Sequence, residues 1–216
     1  MRDLCNTEKP LFAVLTKLTY SAYLNILWLV CSLPIITIGA STTALYYVTF
    51  KMAEDRDDGL TRMFFKAFRE NFKPATKLWL ILLAVGSFLA VDGFVLSRLW
   101  SENIFWTLLT AVLIGAAILY VIVLLYAFPL LARFENTTFG ILKTAFLVGV
   151  RYLFCTLLMA AIYGVMGYII VFVFTPAFLL GVGFCAMLCS FLIIRIIHLI
   201  GGDPDAVYEE QAHDEH

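Results

Sequence analysis

Charged positions cut this chain into long uncharged blocks. None lies between Lys17 and Lys51, Lys77 and Asp92, Glu102 and Arg133, or Arg151 and Arg195. A helix spanning a bilayer needs about 20 mostly apolar residues, so each block has room for one or two. In hydrocarbon every backbone polar group must be bonded within the protein, which makes such blocks helical. A transmembrane barrel would instead alternate polar and apolar residues over segments of about ten residues, and these blocks do not alternate. The pattern predicts an all-α, polytopic transmembrane bundle with about five to six membrane segments.

The first segment is expected over 11–31, with Lys17 near its start, where a long side chain can reach the interface. Pro34 and Gly39 in Ser32-Leu33-Pro34-Ile35-Ile36-Thr37-Ile38-Gly39 break the helix. Ser41, Thr42 or Thr43 can cap a new helix that runs to residue 54. That segment is short for a full crossing, so a re-entrant or strongly tilted course is open to it. Further spans are expected over 78–100, 104–132 (interrupted late by Pro129), 152–174 and 177–199. Ser101-Glu102-Asn103 and Thr175-Pro176 supply the turns. Polar or amphipathic connections occupy 54–77 and 133–151, and an acidic, disordered tail fills 201–216. Each connection precedes a two-span hairpin, a faint internal duplication with Lys66 and Lys143 in similar places.

Basic residues orient the bundle. Seven of the fifteen lie between Lys51 and Lys77, and with both chain ends inside only Arg98 falls outside. If residues 18–50 cross once, the N-terminus moves outside, but the long connections and the C-terminus stay cytoplasmic. Composition agrees with the membrane reading: 62% of residues are hydrophobic and 14% charged. Soluble domains carry roughly 45–50% and about 25%. The late, continuous first apolar run does not read as a cleavable signal peptide. Nothing indicates a nucleic-acid partner.

The sharpest local pattern is an expected amphipathic helix over 60–73. Arg62, Lys66, Arg69 and Lys73 form one narrow stripe, and Phe64, Phe68 and Phe72 lie on the broad opposite side. Such a helix lies in the bilayer interface, with aromatics toward lipid and cations toward anionic headgroups. It either seats the protein in its membrane or docks a partner.

Asp92 is the acidic residue set deep in an apolar run, a position that costs about 2.5–3.5 kcal/mol on insertion scales. It either sits near the outer interface, wet or paired, or couples an ion or proton. Asn25 fits a hydrogen bond between helices. Small-residue pairs, Gly86 with Ala90, Ala160 with Gly164 and Ala40 with Ala44, permit close helix approach. Cys5, Cys31, Cys155, Cys185 and Cys189 form no disulfide or zinc pattern; Cys185 and Cys189, on one helical face, read as small packing residues. Asn136-Thr137-Thr138 matches a glycosylation acceptor but is assigned to the inner side. No nucleotide loop, catalytic triad or metal site is legible, so neither a cofactor nor an enzymatic activity is expected.

Several local blocks stand out: Leu24-Asn25-Ile26-Leu27-Trp28, the Ser32–Gly39 block and Ala44-Leu45-Tyr46-Tyr47. Phe64-Phe65-Lys66-Ala67-Phe68-Arg69-Glu70-Asn71-Phe72-Lys73 and Ala132-Arg133-Phe134-Glu135-Asn136 follow. In these blocks the chain resembles the YesL family of bacterial integral membrane proteins. The resemblance covers most of the chain up to about residue 200. It implies a protein of the bacterial cytoplasmic membrane with an undefined molecular activity. It also implies association with carbohydrate-uptake systems, including ATP-driven importers. The expected function is a non-catalytic accessory component that contacts the lipid bilayer and the permease subunits of an importer. The competing expectation is a small transporter or channel. Its intramembrane polar site would comprise Asn25, Pro34, Thr37 and Gly39, with Asp92 as coupling group.

Overall fold

The computed structural model describes residues 8–54, 59–98, 104–134, 137–173 and 178–200. Every regular element among them is helical. In order these are α1 (Glu8–Cys31), a single 3-10 turn (Ile35–Thr37), α2 (Ile38–Ala53), α3 (Leu60–Glu70), α4 (Phe72–Arg98) and α5 (Ile104–Arg133). Then come α6 (Thr138–Arg151), α7 (Leu153–Tyr168), which ends in a π-helical turn (Ile169–Val173), and α8 (Phe178–Ile200). The expected turns at Ser101-Glu102-Asn103 and Thr175-Pro176, Cys5, Asn136 and the acidic tail lie outside the described residues.

Among the described residues, three helices are long and apolar enough to cross a membrane: Phe72–Arg98, Ile104–Arg133 and Leu153–Phe172. A shorter apolar stretch covers Gly181–Ile197 of α8. The protein is thus an all-helical chain with membrane-type spans. Two expected boundaries need correction. Residues 60–73 are not one helix: α3 ends at Glu70, Asn71 caps it with its backbone and side-chain amides both donating to the Ala67 carbonyl, and Phe72 and Lys73 open α4. Pro74 fits there because the first turn of a helix needs no amide donor. Pro129, expected to interrupt its span, lies inside an unbroken α5. Its neighbours Tyr126 to Leu131 are buried, and packing around them holds the helical path despite the lost donor.

The centre of the bundle is α2, the shortest of the expected membrane segments. Gly39, Ala40, Ser41, Thr43, Ala44, Leu45 and Tyr46 are buried along its first half, and Val48, Thr49, Phe50 and Met52 along its second. Small residues make this possible. A Cβ on Gly39 would come within 2.6 Å of both the Ala75 carbonyl oxygen and Trp79 Cβ on α4. Ser41, Thr42 and Thr43 hide their hydroxyls by donating to the carbonyls of Thr37, Ile38 and Gly39, one turn back.

α4 and α5 form an antiparallel hairpin in steady register. Trp79 meets Phe128 (ring centroids 6.1 Å apart), Gly86 meets Tyr120, and Gly93 meets Leu113. α2 lies across the Phe72–Arg133 end of that hairpin rather than along it. Gly39 touches α4 at Ala75 and Trp79, about 5–10 Å past Phe72 along the axis. At the far end of α2, Glu54 pairs with Arg133, the last residue of α5. A helix about 24 Å long therefore advances by only a fraction of that length along its neighbours. Past Leu82 on α4, and before Ile122 on α5, neither helix has a buried residue.

Candidate functional site

Each turn of α2 is fastened to a different helix. Trp28 Nε1 of α1 donates to Thr42 Oγ1 at 3.1 Å. The hydroxyls of Tyr46 and Tyr163 of α7 are bonded at 2.6 Å, and those of Thr49 and Ser190 of α8 at 2.7 Å. Arg133 Nη1 donates to Glu54 Oε1 at 2.6 Å; the two side chains are only 8% and 15% exposed. In apolar surroundings each interhelical hydroxyl bond contributes on the order of 0.6 kcal/mol. The ion pair matters more, because losing either member strands a charge.

The break before α2 is closed chemically. Pro34 has no amide to offer, and the end of α1 leaves carbonyls open. The single Thr37 hydroxyl proton is shared between the Cys31 and Pro34 carbonyls, each 2.7 Å from Oγ1, and the Thr37 backbone amide also donates to the Pro34 carbonyl at 2.9 Å. Trp79 Nε1 reaches across from α4 to the Ile35 carbonyl at 2.8 Å. Pro34, Thr37 and Gly39 thus come together as a joint sealed against α4. Leu33, Ile35 and Ile36 stay exposed beside it.

Asn25 lies elsewhere, fully buried between α1 and α8, where its Oδ1 accepts from the Gly183 amide at 2.8 Å. A Cβ on Gly183 would lie 2.5 Å from the Ser21 carbonyl oxygen, so glycine permits that contact. Asp92 is not brought to either place. It is half-buried on α4, about 20 Å along the axis from Trp79. Arg98, six residues on, stacks its guanidinium 5.2 Å from the Phe94 ring centroid. Asp92 has neither an ion pair nor a hydrogen bond among the described residues. The five residues of the expected intramembrane site therefore divide among a helix joint, a helix–helix bond and an isolated carboxylate.

The amphipathic helix α3 turns its aromatics differently from the expected arrangement. Phe64 and Ala67 are buried against α2, not in lipid, and Phe68 stacks on Phe64 with centroids 6.4 Å apart. Phe65 and Phe72 remain 45% and 37% exposed. Protein packing wins because α2 offers a bonded, shaped surface where α3 folds back. Arg62, Lys66 and Arg69 on α3, and Lys73 on α4, are all exposed. Where α3 starts, Tyr23 and Thr61 hydroxyls bond at 2.8 Å beside a cavity of about 430 Å³ lined by Thr19, Tyr20, Tyr23, Gly59, Leu60 and Thr61.

Small-residue pairs divide similarly. Ala40 and Ala44 are buried on α2, and Gly86 receives the Tyr120 ring, whose hydroxyl donates to the Leu82 carbonyl at 3.1 Å. Gly164 faces nothing within 4 Å. Cys185 and Cys189 are buried in the helix packing. Thr137 caps α6, accepting from the Gly140 amide at 3.2 Å. Two groups escaped the sequence reading, the Glu54–Arg133 pair and the Trp79 indole. The signal for the pair was present in part: Arg133 stands at the edge of one uncharged block and Glu54 just past the edge of another, but nothing local matches them.

A family model described as "Protein of unknown function, DUF624" matches residues 21–93, from the second half of α1 through most of α4. The chain is 28% identical over 163 residues to "Uncharacterized protein YesL" of Bacillus subtilis (strain 168), covering 74% of this chain and 75% of that one. It is 25% identical over 190 residues to "Uncharacterized protein YteU" of the same organism, covering 85% and 84%. No solved structure matches. The matched segment and the two relatives support a YesL-family assignment.

Proposed function

We propose that the protein is a non-catalytic component of the bacterial cytoplasmic membrane that assists carbohydrate uptake by contacting the permease subunits of an importer. The link to carbohydrate rests on the family resemblance. The observation that carries the contact role is the setting of α3. Its Phe64–Ala67 face is held by α2, which leaves Arg62, Lys66 and Arg69 as a fixed cationic ridge. In this reading the ridge, both chain ends and the α6 connection lie on the cytoplasmic side, as the basic residues direct. α1 and α2 form a pair that enters and returns on that side, and α4, α5, α7 and α8 cross, within the expected five to six segments. The joint at Ser32–Thr37 supports it: α2 begins and ends near one end of the α4–α5 hairpin.

The transporter reading has one observation in its favour, the carboxylate of Asp92 within an apolar helix. Two features weigh against it. The joint is closed by its own hydrogen bonds, and Asp92 stands about 20 Å away from it along α4.

Purification of the native complex in mild detergent, paired with reconstitution of the chain alone, separates the two. The accessory role expects importer subunits to co-purify, their capture to be lost when Arg62, Lys66 and Arg69 are all changed to Glu, and no solute flux in liposomes. Flux abolished by Asp92→Asn in a folded protein would defeat it.

A further inference from the structure

We propose that Asp92 marks a docking face for a membrane helix of a different protein, one that carries a Lys or Arg at matching depth. This face is separate from the α3 ridge and does not rest on the accessory role.

Three observations lead there. First, Lys77 and Arg98 stand about 31 Å apart along α4, close to the roughly 30 Å thickness of bilayer hydrocarbon. Asp92 then lies inside the apolar slab, about 9 Å short of Arg98, and its short side chain cannot reach far. Second, no described residue pairs with Asp92. The nearest cation on its own helix, Arg98, stacks on the Phe94 ring instead, and no described residue bonds the carboxylate. Third, the described residues leave this part of the hairpin uncovered. Phe88, Val91, Phe94 and Val95 around Asp92 are exposed, as are Leu108 and Val112 on α5.

Charge selects the occupant. Acyl chains cannot pair with a carboxylate, and ionisable groups at this depth persist by pairing with one another. A second copy, inserted in the same orientation, would bring its own Asp92 to the same depth and oppose like charges. Its Arg98 would stand a further 9 Å or so along the axis. A foreign helix with one basic side chain supplies what both lack.

The test uses the full chain in phosphatidylcholine vesicles with labelled polyleucine transmembrane peptides, read by energy transfer. One peptide carries a single Lys at the depth of Asp92, a second has Leu there, and a third has the Lys moved one turn, about 5 Å, toward the midplane. We expect the first to bind about tenfold more tightly than the others. Asp92→Asn should erase that preference while leaving thermal unfolding unchanged. Equal binding of all three peptides would overturn the proposal. So would self-association that depends on Asp92, which would make the occupant a second copy. Loss of fold in Asp92→Asn would also overturn it, by giving the carboxylate a role within the chain.

Discussion

α2 and the far half of the α4–α5 hairpin are both apolar helix, yet one is enclosed by protein and the other is bare. The first half of α2 gathers small and hydroxyl residues, Gly39, Ala40, Ser41, Thr42, Thr43 and Ala44, and Thr49 follows in its second. The hairpin beyond Leu82 turns bulky residues outward, such as Phe88, Phe94, Ile104, Phe105 and Leu108, all exposed. Between helices in a membrane, apolarity gives no preference for protein over lipid, because acyl chains are equally apolar. Close approach and hydrogen bonding decide instead. Side-chain size and the availability of hydroxyls therefore help to sort these two regions.

Breaking the α2 side should have the largest consequences. Arg133→Ala strands Glu54 at the end of α2 and should destabilise the bundle by about 3–5 kcal/mol. Replacing both residues by leucine should recover much of that loss, as read by chemical unfolding in detergent. A stability unchanged by the single substitution would mean that the pair does not hold α2 to α5.

Next comes shape. Gly39→Leu places a side chain against the backbone of Ala75 and should cost about 3 kcal/mol or prevent assembly. Gly115→Leu on the hairpin meets nothing within 4 Å and should leave the melting temperature unchanged. If the two variants behaved alike, close packing would not be what distinguishes the regions.

The smallest expected effect belongs to single hydroxyls. Tyr46→Phe removes the bond to Tyr163 and should cost roughly 0.6–1.7 kcal/mol, measured by the same unfolding assay. A larger loss would show that Tyr46 and Tyr163 act within a coupled set.

Much of this division was legible in the sequence, but not where it mattered most. The uncharged blocks, the break at Pro34–Gly39 and the amphipathic period over Leu60–Glu70 come from local pattern, and local pattern fixes local structure. The burial of α2 depends on what surrounds it, and its shortness reads equally well as a tilted span or a re-entrant piece. Phe64 shows the same limit. Its place opposite the cations follows from helical period, but whether that face meets lipid or protein depends on α2. Pro129 failed for the complementary reason, since a residue that breaks an isolated helix is overruled by buried neighbours. Asp92 was conspicuous as a charge, yet sequence alone could not show that Arg98 is occupied by Phe94.

The bond from Asn25 to Gly183 joins residues 158 positions apart, the first described helix to the last. Ribosomes add about 5–20 residues per second, so α1 waits roughly ten to thirty seconds in the membrane before the Gly183 N–H that donates to Asn25 is made. During that interval the Asn25 Oδ1 lacks the bond that later ties α1 to α8. Insertion machinery or a quality-control protease that reads the docking of these two helices would therefore distinguish a chain that has reached α8 from one truncated before it.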